Sequence, residues 1–153
     1  MRRADPRLTS TDDREIAVGT DGSETAAQAV ATAAEIARRY GARVTLLSAF
    51  SEPGAAWTAP RTRRSGASAP PPACARLREV LARAREDLTA QGIDCGVLVD
   101  EGDPADVLVR LAEECDADLL VIGNRGMQRR VLGSVPNTVS HRAPCSVMVV
   151  KTT

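Results

Sequence analysis

The residues whose types and spacing suit chemistry are Gly123-Asn124-Arg125-Gly126 and, after an interval of six, Gly133-Ser134. The first group follows an apolar run, Leu119 to Ile122, and the second opens a predicted helix, Ser134 to Arg142. Two glycines at the carboxyl end of a strand permit a tight turn and a close approach of the backbone to a ligand. A Gly-Ser pair at a helix start offers unpaired N–H groups, a hydroxyl and the positive end of the helix dipole. These are the components of a phosphate cradle. The arrangement is not a Walker A loop, because no Lys follows any of its glycines, and the G-x-G-x-x-G dinucleotide spacing is absent. Arg125, Arg129 and Arg130 have two open readings: bidentate clamps on phosphate, or solvated loop charges.

The elements that must position this motif alternate along the chain. Glu15 to Gly19, Val44 to Ala49, Cys95 to Val99, Leu119 to Ile122 and Ser146 to Val150 are short apolar runs that predict strands. Between the first two, Ala26, Ala29, Val30, Ala33, Ile36, Ala37 and Tyr40 recur on one helical face, with Ser23 as cap and Gly41 as a left-handed end. Leu77, Val80, Leu81, Ala84 and Leu88 trace a second stripe, closed by Gly92. Asp103-Pro104 starts a third helix, backed by Val107, Leu108, Leu111, Ala112 and Cys115. Near-continuous apolar strands need cover on both faces. The expected architecture is therefore α/β, a single open parallel sheet of five strands with helices on both faces, taken as doubly wound in the order 3-2-1-4-5. Residues 1–14 read as a loose polar arm before one domain spanning 15–153.

Ser51 to Pro72 interrupts the rhythm with prolines, glycines, Trp57 and Arg61, Arg63 and Arg64. A structureless stretch this long is either a disordered surface excursion or a functional flap, here a basic one that would close over an anion. In a doubly wound sheet, ligands bind beyond the carboxyl ends of the strands where the strand order reverses. With the order 3-2-1-4-5, that point lies between strands one and four. The loops that follow them are Gly19-Thr20-Asp21-Gly22-Ser23 and Gly123 to Gly126. Asp21 either meets a ribose hydroxyl or Mg²⁺, or caps the first helix; Ser134 can cap the last helix and bind phosphate with the same amides.

Composition narrows the function classes. Twenty basic and twenty acidic residues balance to zero formal charge, so no global field attracts nucleic acid or an anionic membrane. No apolar run approaches the ~20 residues that span a bilayer, and Met1-Arg2-Arg3 has no apolar core behind it to read as an export signal. The expectation is a cytoplasmic protein. Cys95, Cys115 and Cys145 read as small buried hydrophobes, while Cys74 borders the proline-rich stretch, where it could be exposed. No C-x-x-C pair and one histidine give no metal set. That histidine, His141, falls near a helix C-terminus and reads as structural. No catalytic triad or paired-carboxylate site can be assembled.

Val18-Gly-Thr-Asp-Gly-Ser23, Val121-Ile-Gly-Asn-Arg-Gly126, Gly133-Ser134-Val135 and Ala143-Pro-Cys-Ser-Val147 together resemble the universal stress protein family over residues 15–151. The resemblance implies an adenine-nucleotide-alpha-hydrolase-like fold. Members with G-x2-G-x9-G-[S/T] typically bind ATP. Carried over, it implies phosphate contacts from Gly123, Gly126, Gly133, Ser134 and the amide of Val135, beside which Arg125 stands as the candidate clamp. It also implies a ribose or metal-linked contact from Asp21 and an adenine contact from the backbone of Ala49. The chain departs from the pattern in having six residues between Gly126 and Gly133 where the pattern has nine. The implied ligand is ATP, or ADP or AMP in a smaller cradle, with Mg²⁺.

The expected function is a dimeric, nucleotide-dependent regulatory switch in the stress response. The alternatives are a slow Mg²⁺-dependent ATP hydrolase or phosphotransferase, and a nucleotide-free interaction dimer. Strand 146–150, apolar and near the end of the sequence, is the expected homodimer edge; a further protein partner is left unidentified.

Overall fold

The computed structural model describes residues 14–51, 72–124 and 132–151. Five strands and four helices alternate: β1 Glu15–Gly19, α1 Glu24–Tyr40, β2 Arg43–Phe50, α2 Pro72–Ala90, β3 Cys95–Glu101, α3 Pro104–Glu114, β4 Leu119–Asn124, α4 Ser134–Arg142 and β5 Ser146–Lys151. All strand pairs are parallel, as the apolar runs predict, and the order is β3-β2-β1-β4-β5, as expected.

Alternation along each strand sorts the core into two layers. Ile16, Val18, Val44, Leu46 and Val121 face α1 and α2, where Ala29, Ala33, Ala37, Leu81 and Leu88 meet them. Ala17, Leu47, Leu120 and Ile122 face the opposite way, onto Val107, Leu108, Leu111 and Ala112 of α3 and Val139 of α4. The alanine-rich inner face of α1 lets that helix lie close to the sheet. The helix ends follow their local chemistry. Ser23 Oγ accepts the N–H of Ala26 at 3.2 Å, Gly41 takes φ 65° at the end of α1, and Asp103 caps α3 with Pro104 in its first turn.

The lower edge of the sheet is fastened by Glu15. Its N–H donates to Asp118 Oδ2 at 2.9 Å, and its buried carboxylate accepts the hydroxyl of Thr45. Burial raises the Glu15 carboxyl above its ordinary range, with the Thr45 hydrogen bond opposing.

Several sequence expectations are corrected. Helix α2 begins at Pro72, inside the stretch assigned to a loop. Arg14, assigned to the arm, is tied down: its carbonyl accepts the N–H of Arg43, and its guanidinium lies 5.5 Å from the centre of the Tyr40 ring. Cys74 is buried on the first turn of α2, its sulfur 3.3 Å from Arg78 Nε, while Cys115 and Cys145 are half-buried. Tyr40 and Val80, placed on apolar stripes by periodicity, are 52% and 42% exposed. Tyr40 is the last residue of α1, and Val80 stands over the loop that follows β1 rather than over the sheet.

Candidate functional site

The order reversal between β1 and β4 opens a crevice of about 390 Å³ at the carboxyl ends of the strands. Its lining brings together Asp21, Ala49, Gly123, Gly133, Ser134 and Val135, which the sequence singles out. Arg125 and Gly126 lie outside the described residues, as do Arg129, Arg130 and most of the 51–72 stretch. The floor is apolar, built by Leu108 and Ile122. Gly19 keeps that floor uncrowded, since a Cβ on it would sit 3.1 Å from both Ile122 Cγ2 and Leu108 Cδ1.

One wall is the turn after β1. Thr20 N donates to the Leu47 carbonyl at 2.9 Å, and the buried Ser48 hydroxyl donates to the Thr20 carbonyl. The N–H of Gly22 reaches Thr20 Oγ1 at 3.1 Å, and that of Ser23 reaches Asp21 Oδ1 at 2.9 Å. Asp21 therefore does not cap α1; Ser23 does, and Asp21 shapes the turn that precedes it.

Three helices, α1, α3 and α4, point their N-termini at this crevice, and their ends differ. Helix α1 is capped by Ser23 and carries Glu24 in its first turn; α3 is capped by Asp103 and carries Asp106. Both positive ends are already answered by oxygen atoms and acidic charge. Helix α4 has Gly133 at its N-cap, no side-chain cap and no acidic residue in its first turn. This overturns Ser134 as the cap, since Ser134 is the first helical residue.

The donors at the α4 end can be accounted for individually. Gly133 N–H is taken by Asn124 Oδ1 at 3.1 Å, and Pro136 has no N–H. The N–H groups of Ser134 and Val135 have no acceptor among the described residues and line the crevice. Two amides at an uncapped helix start have the chemistry to meet an anion. Asp21 is the only ionisable side chain among the described lining residues. The exposed His141 sits in the last turn of α4, away from the lining, and no three potential metal-binding side chains cluster among the described residues.

Sequence reasoning put Thr20 and Asn124 in the two loops that open on the crevice without giving either a role, and it missed Ser48 and Pro104 as parts of the site. Asn124 carried a signal, being the polar residue that ends an apolar strand, but its partner becomes visible only in three dimensions.

A model of the universal stress protein family matches residues 14–151. The chain belongs to the universal stress protein family. Among curated members, universal stress protein Rv1636 from Mycobacterium tuberculosis is 37% identical over 144 residues, covering 90% of this chain and 96% of that protein. A crystal structure of a universal stress protein in complex with cAMP superposes with a TM-score of 0.70 at 32% identity, covering 93% of this chain and 99% of the other. A universal stress protein from Archaeoglobus fulgidus in complex with dAMP gives 0.67 at 26% identity, covering 92% and 99%. The adenine-nucleotide-alpha-hydrolase-like fold is common to this chain and these universal stress protein structures.

Proposed function

We propose that this chain is a regulatory protein that binds an adenine nucleotide in the crevice between β1 and β4. The observation that carries this reading is the uncapped start of α4, where the Ser134 and Val135 amides line the crevice while the two neighbouring helix ends are capped. The phosphate rests on these amides and on the turn at Gly123, the ribose approaches Asp21, and the adenine lies against the backbone of Ala49. Arg125 and Gly126 complete the phosphate side in this reading. Two relatives solved with the monophosphates cAMP and dAMP support an adenosine phosphate as the common ligand. The short interval between Gly126 and Gly133 favours fewer phosphates than the nine-residue pattern accommodates. If ATP is held, Mg²⁺ arrives with its phosphates, and Asp21 is the lining carboxylate able to meet it.

Binding, rather than turnover, is the role this lining suits, since its described residues include no histidine, lysine or cysteine and Asp21 is their single ionisable side chain. The apolar edge strand β5, with Met148 36% exposed, supports a homodimer through that edge, and occupancy of the crevice would then bias dimer or partner contacts as a stress-response switch in the cytoplasm.

Isothermal titration with ATP, ADP, AMP and cyclic AMP, with and without Mg²⁺, tests the reading. Saturable binding at one site per chain is the expected result, and the ranking gives the number of phosphates accepted. A folded protein that binds none of the four would overturn it.

A further inference from the structure

Thr20 and Ser23 line two cavities at once: the crevice, and a groove of about 320 Å³ between α1 and α2. The turn after β1 is therefore a thin partition. Asp21 faces its crevice side, and Gly22 and Val80 lie on its groove side. Gly22 sits at φ +80°, and a Cβ built on it would fall 2.6 Å from Val80 Cγ1 and 3.5 Å from Val80 Cβ. The isopropyl group of Val80 is thus seated directly on the tip of the turn.

Val80 makes little of the core, since it is 42% exposed and stands outside both buried clusters. An apolar side chain on the outward part of α2, resting on a left-handed glycine, has a different use. The turn is hydrogen-bonded at its base, through Thr20 to Leu47 and Ser48. Its tip is braced from behind by Val80.

We propose that Val80 is a positioning residue for the nucleotide crevice, its side chain fixing how far the Thr20–Ser23 turn, and Asp21 with it, leans toward the ligand. Helix α2 contributes no described residue to the crevice lining, so this contact is its route to the site. The proposal rests on the nucleotide reading above. Removing the brace lets the turn relax toward the groove, and a methyl added at Gly22 drives the tip the other way.

Adenine nucleotide affinity, with whichever of the four nucleotides binds the unmodified chain most tightly, is measured for Val80→Ala, Val80→Thr, Gly22→Ala and the pair Gly22→Ala with Val80→Ala. Thermal unfolding of each is followed in parallel. Val80→Ala is expected to weaken binding about fivefold with little change in Tm, and Val80→Thr, which keeps the shape, to bind as the unmodified chain does. Gly22→Ala should weaken binding further, and the added Val80→Ala should recover part of that loss by removing the collision. If the unmodified chain binds but Val80→Ala binds equally well and the double substitution gives no recovery, the positioning role is overturned while the nucleotide reading stands. If the unmodified chain binds no nucleotide, both fall.

Discussion

Asn124 Oδ1 accepts the backbone N–H of Gly133 at 3.1 Å, so the last residue of β4 holds the residue that begins α4 across an interval of nine. The bond fixes the approach of α4 and removes one N–H from the open helix end, leaving those of Ser134 and Val135 for a ligand.

Breaking that bond should disturb the site more than changing the glycine. Asn124→Ala leaves the Gly133 N–H without its acceptor, at a cost of about 1–3 kcal/mol in unfolding free energy, and should weaken nucleotide binding about tenfold. Gly133→Ala is milder, because φ −61° and ψ 167° suit any residue and the crowding is confined to its new methyl, 3.3 Å from Asn124 Oδ1, which has to give by a few tenths of an ångström. Denaturant unfolding and calorimetric titration of both variants check the order.

The amide itself can be deleted without deleting the helix. Ser134 is the first helical residue, where proline is well accepted, and Gly133 already has the extended backbone that precedes proline comfortably. Ser134→Pro should keep Tm close to that of the unmodified chain while weakening nucleotide binding about tenfold or more. Ser134→Ala loses the hydroxyl alone and should retain more affinity. Equal affinity for all three proteins would show that this amide carries no phosphate.

Glu15 gives the chain a pH dependence of predictable sign. Burial raises its carboxyl above the ordinary 4.5 in the folded protein, so the folded state holds the proton more readily than the unfolded one. The ionised group therefore costs stability above its folded pKa, and the cost fades as pH falls through that value toward 4.5. Glu15→Gln keeps an acceptor for the Thr45 hydroxyl. It should raise Tm at pH 7, with the advantage narrowing as the pH is lowered; a constant difference across the range would contradict this.

Burial pushes the thiols of Cys95 and Cys115 up to about 11. At pH 8 only about one in a thousand of either is then thiolate. In the native protein both should be inert to a disulfide reagent over minutes, and Cys95→Ser with Cys115→Ser should leave the native reaction trace unchanged. Unfolding in denaturant should make all four cysteines titratable.

A homodimer through β5 should be sensitive to charge at Met148, the most exposed apolar side chain of that strand. Met148→Glu is expected to lower the solution mass twofold, toward the 16.2 kDa of one chain, by analytical ultracentrifugation. A variant that stays at the parent mass would place the dimer contact elsewhere.

Much of this architecture is legible in the residues because each strand carries an apolar run and several helices begin or end on a residue with a specific backbone role. Ser23, Gly41 and Asp103-Pro104 act locally, and local chemistry is what a sequence displays. The crevice is legible for a related reason: once β1 and β4 are neighbours, Gly19–Ser23 and Gly123–Asn124 must open together. What escapes is relational. The bond from Asn124 to Gly133 depends on the path between them, and Ser48 becomes part of the site only because β2 lies beside β1. Val80 has the period of a core residue, yet it faces the turn at Gly22, since periodicity gives the face of a helix and not what stands opposite that face. Cys74 errs in the other direction, as a neighbour of proline-rich sequence that is nonetheless turned inward.

The central place of β1 in the sheet also governs when the site can exist. Its N–H at Glu15 is matched to Asp118, 103 residues later, whereas its other neighbour, β2, follows at once in the chain. During synthesis β1, β2 and β3 with their two helices can assemble early, presenting Thr20, Asp21 and Ala49 along one open border. The opposite border, from Pro104 to Pro136, is made later. A nucleotide therefore cannot guide the first stage of folding. It can stabilise only a chain in which both borders are present, and its contribution then grows with its concentration. A nascent chain released before Ser134 would carry most of the fold and none of the amides that distinguish α4.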